Sequence, residues 1–365
     1  MVVVGLLSIA VLALLTVACA RIASPRGWAS PVLSDDVLLA PHRDELFAFE
    51  IDGFKARWAF PVEQDRDDID PVALYGTPAV AGGAVFVPTH DNTLYAVDIE
   101  SGELLWSFET DGSLIGGAVV ANGIVYFGSD DGNIYALNAE TGRQEWQPFQ
   151  TGEKVQSTLA VAGGTLYATS LDGFLYALDA QTGDELWSFE TDGGIPSPPV
   201  VDEAAGLVYV AGFDQRLRAI GIESHEEVWS VKAGNWFWTT PLVFNGVVYA
   251  GAFDGMVYAI EVDTGVELWR EPYETEAPIR AAPVIAGGKL IVVDRDGNVH
   301  GIDLEEGIDA SNGFLPLGDD VLADPLVVQS AEGGETVLFV TTAGDLVLVN
   351  PETLALVGRP IGLGD

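Results

Sequence analysis

Three consecutive aromatic residues, Trp236, Phe237 and Trp238, follow Asn235, while the other tryptophans stand singly. Successive strand side chains point to opposite faces, so packing inside one sheet absorbs such a run less easily than a single ring. Trp and Arg are the types in which binding energy concentrates, and Arg280 lies one repeat length further on as a polar partner for an aromatic platform. A second constellation is carboxylate: Asp91, Asp131, Asp172, Asp214, Asp254 and Asp296 recur at intervals of 40 to 42 residues. Such a series either gathers a divalent cation or serves turns, in which Asp accepts nearby backbone N–H groups. The loop Asp294-Arg295-Asp296-Gly297-Asn298 lacks the later bidentate Glu of an EF-hand, so turn chemistry is expected and no metal site. His42, His90, His225 and His300 lie far apart and form no HExxH motif. The single cysteine, Cys19, excludes intramolecular disulfides, cysteine-based zinc sites and CxxC redox chemistry.

The charge balance narrows the partners. With 55 acidic against 16 basic residues and a formal net charge of −39, the chain repels phosphate backbones, and no nucleic-acid partner is expected. Hydrophobic residues make up 48% of the chain, enough for a large core. The 42 glycines and 19 prolines are spread as turn punctuation, which favours many short strands.

Residues Val2 to Ala20 form an unbroken apolar and small-residue run followed by Arg21. One reading is a signal peptide over residues 1–19, ending in a lipobox-like Leu15-Thr16-Val17-Ala18-Cys19 with Cys19 as the lipidated residue. The other is an uncleaved membrane anchor, since such a run just spans a bilayer. Thr16 stands where leucine is usual, and no Lys or Arg precedes the apolar core. Either reading gives an exported, membrane-anchored, extracytoplasmic protein, in the periplasm or on the cell surface. Residues 20–27 are then a linker.

The elements that position the candidate residues come from internal repetition. Trp58, Trp106, Trp146, Trp187, Trp229 and Trp269 are separated by 48, 40, 41, 42 and 40 residues. Around each lies the same unit: an apolar strand, a Gly turn, a second strand, an Asp-Gly turn, a third strand, then a link to the tryptophan. The copies open near Pro31, Pro78, Ala118, Leu159, Pro199, Pro241, Pro283 and Pro325, giving eight units over residues 28–365. Dipeptides such as Asn122-Gly123 and Gly163-Gly164 supply the positive φ angles of two-residue hairpins. Ile124 to Phe127 and Leu175 to Leu178 are apolar on both faces, as strands covered on both sides must be. The expected fold is all-β: an eight-bladed β-propeller of four-stranded antiparallel blades, strands A to D, each packed on two neighbours.

The link between strands C and D reads Ala-x-Asp-x-x-Thr-Gly-x-x-x-Trp. It stands as Ala96-Asp98-Gly102-Trp106, Ala136-Asn138-Thr141-Gly142-Trp146, Ala177-Asp179-Thr182-Gly183-Trp187 and Ala259-Thr264-Gly265-Trp269. This resembles the tryptophan-docking motif of the PQQ-like (pyrroloquinoline-quinone repeat) β-propellers, and the resemblance covers the chain after its apolar start. Phe54 and His225 replace the glycine in units 1 and 5, and units 7 and 8 lack the tryptophan, so these two are expected to dock more loosely. No strand exchange between the ends is apparent.

The resemblance implies two classes of function. Quinoprotein dehydrogenases hold PQQ and calcium on the axis and need a catalytic carboxylate, calcium ligands and long enclosing loops; many also carry a vicinal cysteine pair. Non-catalytic propellers are similar to the outer-membrane assembly lipoproteins of the BamB type. Here the cysteine pair is impossible and the loops are mostly short. The expectation is a scaffold without cofactor or catalytic residue that meets a protein partner at the cell envelope; the alternative is the dehydrogenase. Residues just before each strand A should line one mouth of the axial channel, among them Tyr75, Ile115, Gln156, Ile195, Phe237, Trp238, Arg280 and Leu322. With Trp236, the residues Tyr75, Gln156, Phe237, Trp238 and Arg280 form the expected partner site.

Overall fold

The computed structural model describes residues 27–63, 69, 73–329 and 334–363. The expected signal or anchor with Cys19, and the linker up to residue 26, lie outside the described residues.

Turn chemistry sets the architecture. Asn122 and Gly123 have φ of 52° and 77°, and Gly82 and Gly83 have 60° and 82°, the paired left-handed conformations of a type I′ hairpin. Each such turn joins a three-residue strand A to strand B. In blade 2 the four strands are Ala79–Ala81, Ala84–Pro88, Thr93–Asp98 and Leu104–Glu109. They pair antiparallel in sequence order, with a bulge after Ala96, the residue opposite Trp106. The same alanine–tryptophan pairing and bulge recur at Ala48–Trp58, Ala177–Trp187 and Ala219–Trp229. Eight such sheets follow one another, and all eight blades are four-stranded in this sense.

The outer strand is long only where the sequence lets it be. It has six residues in blades 1, 2, 4 and 5. In blades 3 and 6 it shrinks to Phe149–Gln150 and Tyr273–Glu274. Pro148 and Pro272 immediately precede these pairs, and proline cannot donate to a ladder. In blade 8 the edge is split between Ala355–Leu356 and Ile361–Gly362, both paired with Asp345–Asn350.

The core lies between blades. Val85, Phe86 and Val87 of one strand B are fully buried and serve two seams: Val85 and Val87 pack toward blade 1, Phe86 toward blade 3. Each such side chain contributes about 1.5–3 kcal/mol by leaving water. An indole also bridges most seams. A Cβ placed on Gly142 would lie 2.7 Å from Trp106 Cδ2, and one on Gly102 would lie 2.7 Å from Trp58 Cδ2. Trp58, Trp106, Trp146, Trp229 and Trp269 thus each dock on a glycine of the next blade, and the Nε1 of each donates there, as Trp106 does to the Ala139 carbonyl at 3.1 Å. Blade 7 has no tryptophan but keeps the receiving glycine: Gly307 faces Trp269. The seams between blades 7 and 8 and between 8 and 1 are filled by aliphatic and phenyl groups instead.

Among the described residues the ring closes without strand exchange, because blade 1 is built from Val32–Phe60 and blade 8 from residues after Gly318. Leu38, Ala40 and Phe49 meet Leu338, Val340 and Leu346 across the seam. The Asp324 N–H donates to Ser30 Oγ at 3.0 Å, joining residues 294 positions apart.

Candidate functional site: the axial mouth

Aligned blades place four successive residues in four environments. Leu74, Leu114, Val155, Ile195, Phe237, Ile279 and Val321 are equivalent, and all are buried in the seams. The next position in each blade lines the axial cavity: Trp28, Tyr75, Ile115, Gln156, Pro196, Trp238, Arg280 and Leu322. A small buried residue follows, Ala29, Ser157, Ser197, Thr239, Ala281 or Ala323 among them. The fourth position forms a belt around the axis. There Ser30 N–H donates to Thr77 Oγ1, Gly117 N–H to Thr158 Oγ1 and Ala282 N–H to Asp324 Oδ1, at 3.2, 2.9 and 2.6 Å.

Of the residues expected at the mouth, Tyr75, Ile115, Gln156, Trp238, Arg280 and Leu322 line it. Phe237 and Ile195 do not. Phe237 is fully buried and packs edge-on against Tyr258, because its register is that of the seam residue. Pro196, not Ile195, is the lining residue of blade 5. Trp236 is exposed outside the cavity and leans on Phe213, ring centroids 5.0 Å apart. Trp28 lines the mouth although the expected set did not contain it; its position directly before Ala29, as Tyr75 stands before Gly76, is the signal that marks it.

The centre of the mouth is Arg280. Its guanidinium carbon lies 4.0 Å from the ring centre of Trp28 and 5.0 Å from that of Trp238. Trp28 meets Tyr75 edge-on at 4.1 Å, and Tyr75 meets His90 at 5.3 Å, so an aromatic arc runs from blade 6 through blade 7 to blades 1 and 2. Arg280 Nε is buried without a hydrogen-bond partner. Burial and the nearby Arg295 pull the Arg280 pKa down to about 10, offset in part by Tyr75, so the side chain is charged at neutral pH. Gln156 is held by Asp130, which also takes Lys154 Nζ at 2.6 Å. The cavity measures ≈ 90 Å³ and is lined by the belt hydroxyls below these residues.

Five of the six aspartates, Asp91, Asp131, Asp172, Asp214 and Asp254, brace their turns, while Asp296 is exposed and Asp294 takes its place. Asp131 accepts the Tyr135 hydroxyl at 2.8 Å, the Asn133 N–H at 2.9 Å and the Asp111 N–H at 3.2 Å. Asp172 and Asp254 repeat this with Tyr176, Phe174 and Gly152, and with Tyr258, Met256 and Gly234. In blade 5, Arg218 replaces the tyrosine and pairs with Asp214 at 2.5 Å. In blade 7, His300 does so, and its partner is the fully buried Asp294, 3.4 Å away. No group of three or more His, Cys, Asp or Glu side chains among the described residues is placed to hold a metal ion.

Fold and axial geometry together define the class: an eight-bladed propeller of PQQ-like repeats with docked indoles. The family model described as outer membrane protein assembly factor BamB matches residues 20–188, 150–224 and 204–355. The chain belongs to that family. Among solved structures it is similar to BamB from Moraxella catarrhalis, with 21% identity, a TM-score of 0.69, and coverage of 85% of this chain and 93% of that one. The computationally designed Ika8 protein matches at 16% identity and a TM-score of 0.74, over 88% of this chain and 96% of that one. Quinohemoprotein alcohol dehydrogenase ADHIIG from Pseudomonas putida HK5 matches at 16% identity and a TM-score of 0.70, over 87% of this chain and 70% of that one. These likenesses carry the fold. No curated protein matches the chain.

The quinone and calcium associated with this fold require a flat slot and a cluster of oxygen ligands. Here the two indole faces at the axis are covered by the chain's own Arg280, and the cavity is far below the roughly 300–1,000 Å³ of a cofactor pocket. The axial residues do not fit that group.

Proposed function

We propose that this chain is a non-catalytic, membrane-tethered scaffold outside the cytoplasmic membrane, engaging a protein partner of envelope assembly through the face that carries the axial mouth. The observation that carries the reading is the mouth itself. Exposed Trp236, half-buried Trp28 and Trp238, and an Arg280 with no ion pair among the described residues gather on one face over a cavity too small for a cofactor. Aromatic and arginine side chains at the centre of a rigid disc are the composition of a binding hot spot. Membership of the assembly-factor family supports the envelope setting and a protein partner. The apolar run before Arg21, with Cys19 as the lipidated residue or as part of an uncleaved anchor, supplies the tether.

A photo-crosslinking residue at position 236, in membranes from cells expressing the full chain, should yield a discrete adduct. The same residue at Asn122, exposed at the opposite end of blade 3, should not. Equal adducts from both positions, or none from 236, would overturn the reading. Stoichiometric uptake of PQQ with Ca²⁺, followed by dye-linked alcohol oxidation, would replace it with the dehydrogenase.

A further inference from the structure

We propose that the Arg280 guanidinium is the receptor for a carboxylate carried by the protein partner. This rests on the reading of the mouth as the partner-binding face, and deepens it to the chemistry recognised there.

The chain holds 55 acidic residues against 16 basic ones, so an arginine in the interior has carboxylates in abundance to choose from. Arg218, buried in blade 5, is enclosed by Asp214 at 2.5 Å and Glu227 at 3.0 Å. Arg57, largely shielded, takes Asp36 at 2.5 Å and Glu100 at 3.5 Å. Arg280 makes no ion pair among the described residues, and its Nε is buried without an acceptor. Asp324 lines the same cavity but directs its carboxylate at the Ala282 N–H, 2.6 Å away. A second guanidinium, Arg295, stands near enough to repel Arg280 rather than neutralise it. Leaving a partly desolvated cation unpaired is costly, and both Arg218 and Arg57 are given carboxylates where Arg280 is not.

The surroundings specify the missing group. The Trp28 and Trp238 rings lie against the Arg280 guanidinium, their centres 4.0 and 5.0 Å from its central carbon, while its N–H groups point outward along the edge of its plane. That edge presents parallel N–H donors in the plane, the pattern matched by a carboxylate. The cavity of ≈ 90 Å³ admits a group of that size with a few waters, and its hydroxyl lining can solvate the remaining lone pairs. A side chain reaching down from a docked protein fits such a well, because the rest of the partner stays outside on the aromatic rim.

The test is arginine side-chain NMR on the full chain in detergent, labelled at arginine Nε. The Arg280 signal is identified by its disappearance in Arg280→Met, a variant that keeps a flexible apolar side chain between the indoles. The probes are an end-capped Gly-Glu-Gly peptide, its Gly-Gln-Gly counterpart, acetate and chloride, all at constant ionic strength. The glutamate peptide should shift the Arg280 signal saturably, at least tenfold more tightly than acetate. The glutamine peptide and chloride should leave it in place. Equal response to the two peptides, a response to acetate alone, or no response would overturn the proposal. Arg280→Met should keep its unfolding midpoint within a few degrees; a cooperative loss of fold would show that Arg280 is structural and overturn the proposal from the other side. The crosslink at position 236 is read separately. Its persistence with a silent Arg280 refutes the carboxylate and leaves the partner face. Its absence with a saturable shift refutes the partner face and leaves the carboxylate chemistry.

Discussion

The imidazole of His225 lies on the indole of Trp187, with ring centroids 4.8 Å apart and planes 16° from parallel. At the other tryptophan seams a glycine faces the indole; here a side chain does, held at a φ of 58°. The stack offsets the backbone cost of a left-handed histidine. His225→Ala keeps that cost and removes the stack, so it should destabilise the fold by about 1 kcal/mol. Urea unfolding followed by tryptophan emission checks this, and an unchanged midpoint would refute the stack as a source of stability.

Glycine docking predicts a contrast between two turns. Gly142 and Gly123 both have positive φ, 68° and 77°. Only Gly142 faces an indole, with a Cβ position 2.7 Å from Trp106, whereas nothing lies within 4 Å at Gly123. Gly123→Ala should cost about 1 kcal/mol of backbone strain, and Gly142→Ala about 3 kcal/mol or more, because the indole must move. Similar denaturation midpoints for the two variants would count against docking as described.

Asp324 should make stability pH-dependent in a fixed direction. Burial raises its pKa, against hydrogen bonds from Ala282 N–H and Ser30 that lower it. A carboxyl whose folded pKa is raised contributes stability that is complete below its unfolded value, about 3.9, and is lost as pH rises through the folded value. Asp324→Asn keeps an acceptor for Ala282 and removes the ionisation. Relative to the natural chain, the variant should therefore gain stability as pH rises from 4 to 8. A stability difference that is flat across that range would refute the assignment.

The aspartate series should be indifferent to calcium. Three donors already fill Asp131, and likewise Asp172 and Asp254. Millimolar Ca²⁺ should leave the melting temperature unchanged within a degree, while Tyr135→Phe should cost about 1–2 kcal/mol by removing a donor from a part-buried carboxylate. A calcium-dependent rise of several degrees would restore the cation reading.

The blades were legible because their signals are local. Asn122-Gly123 and its counterparts define the hairpins, and the spaced tryptophans count the seams. Phe237 departs from the expected mouth because register, not residue type, decides its place. Set beside Leu74, Leu114 and Val155, it is a seam residue like them. Trp28 lies outside the expected mouth although it opens the first unit, and Gly307 keeps the motif position in a blade without a tryptophan because the Trp269 of its neighbour needs a seat. That Arg280 has no acid partner among the described residues is not legible in the sequence. Pairing between side chains of different blades depends on how the ring closes, and closure leaves no mark in a periodic sequence.

With no strand exchanged among the described residues, the disc closes by a latch. A pull on its two ends loads the apolar contact of Leu38 with Leu338 and one serine hydroxyl, not a β-ladder, so the ring gapes there before any blade unravels. The Trp28–Arg280 contact reaches from blade 1 over blade 8 to blade 7 and so bridges that gap. Whatever fastens on Arg280 also fastens the latch, which makes occupancy of the mouth and resistance to mechanical opening two readings of one event.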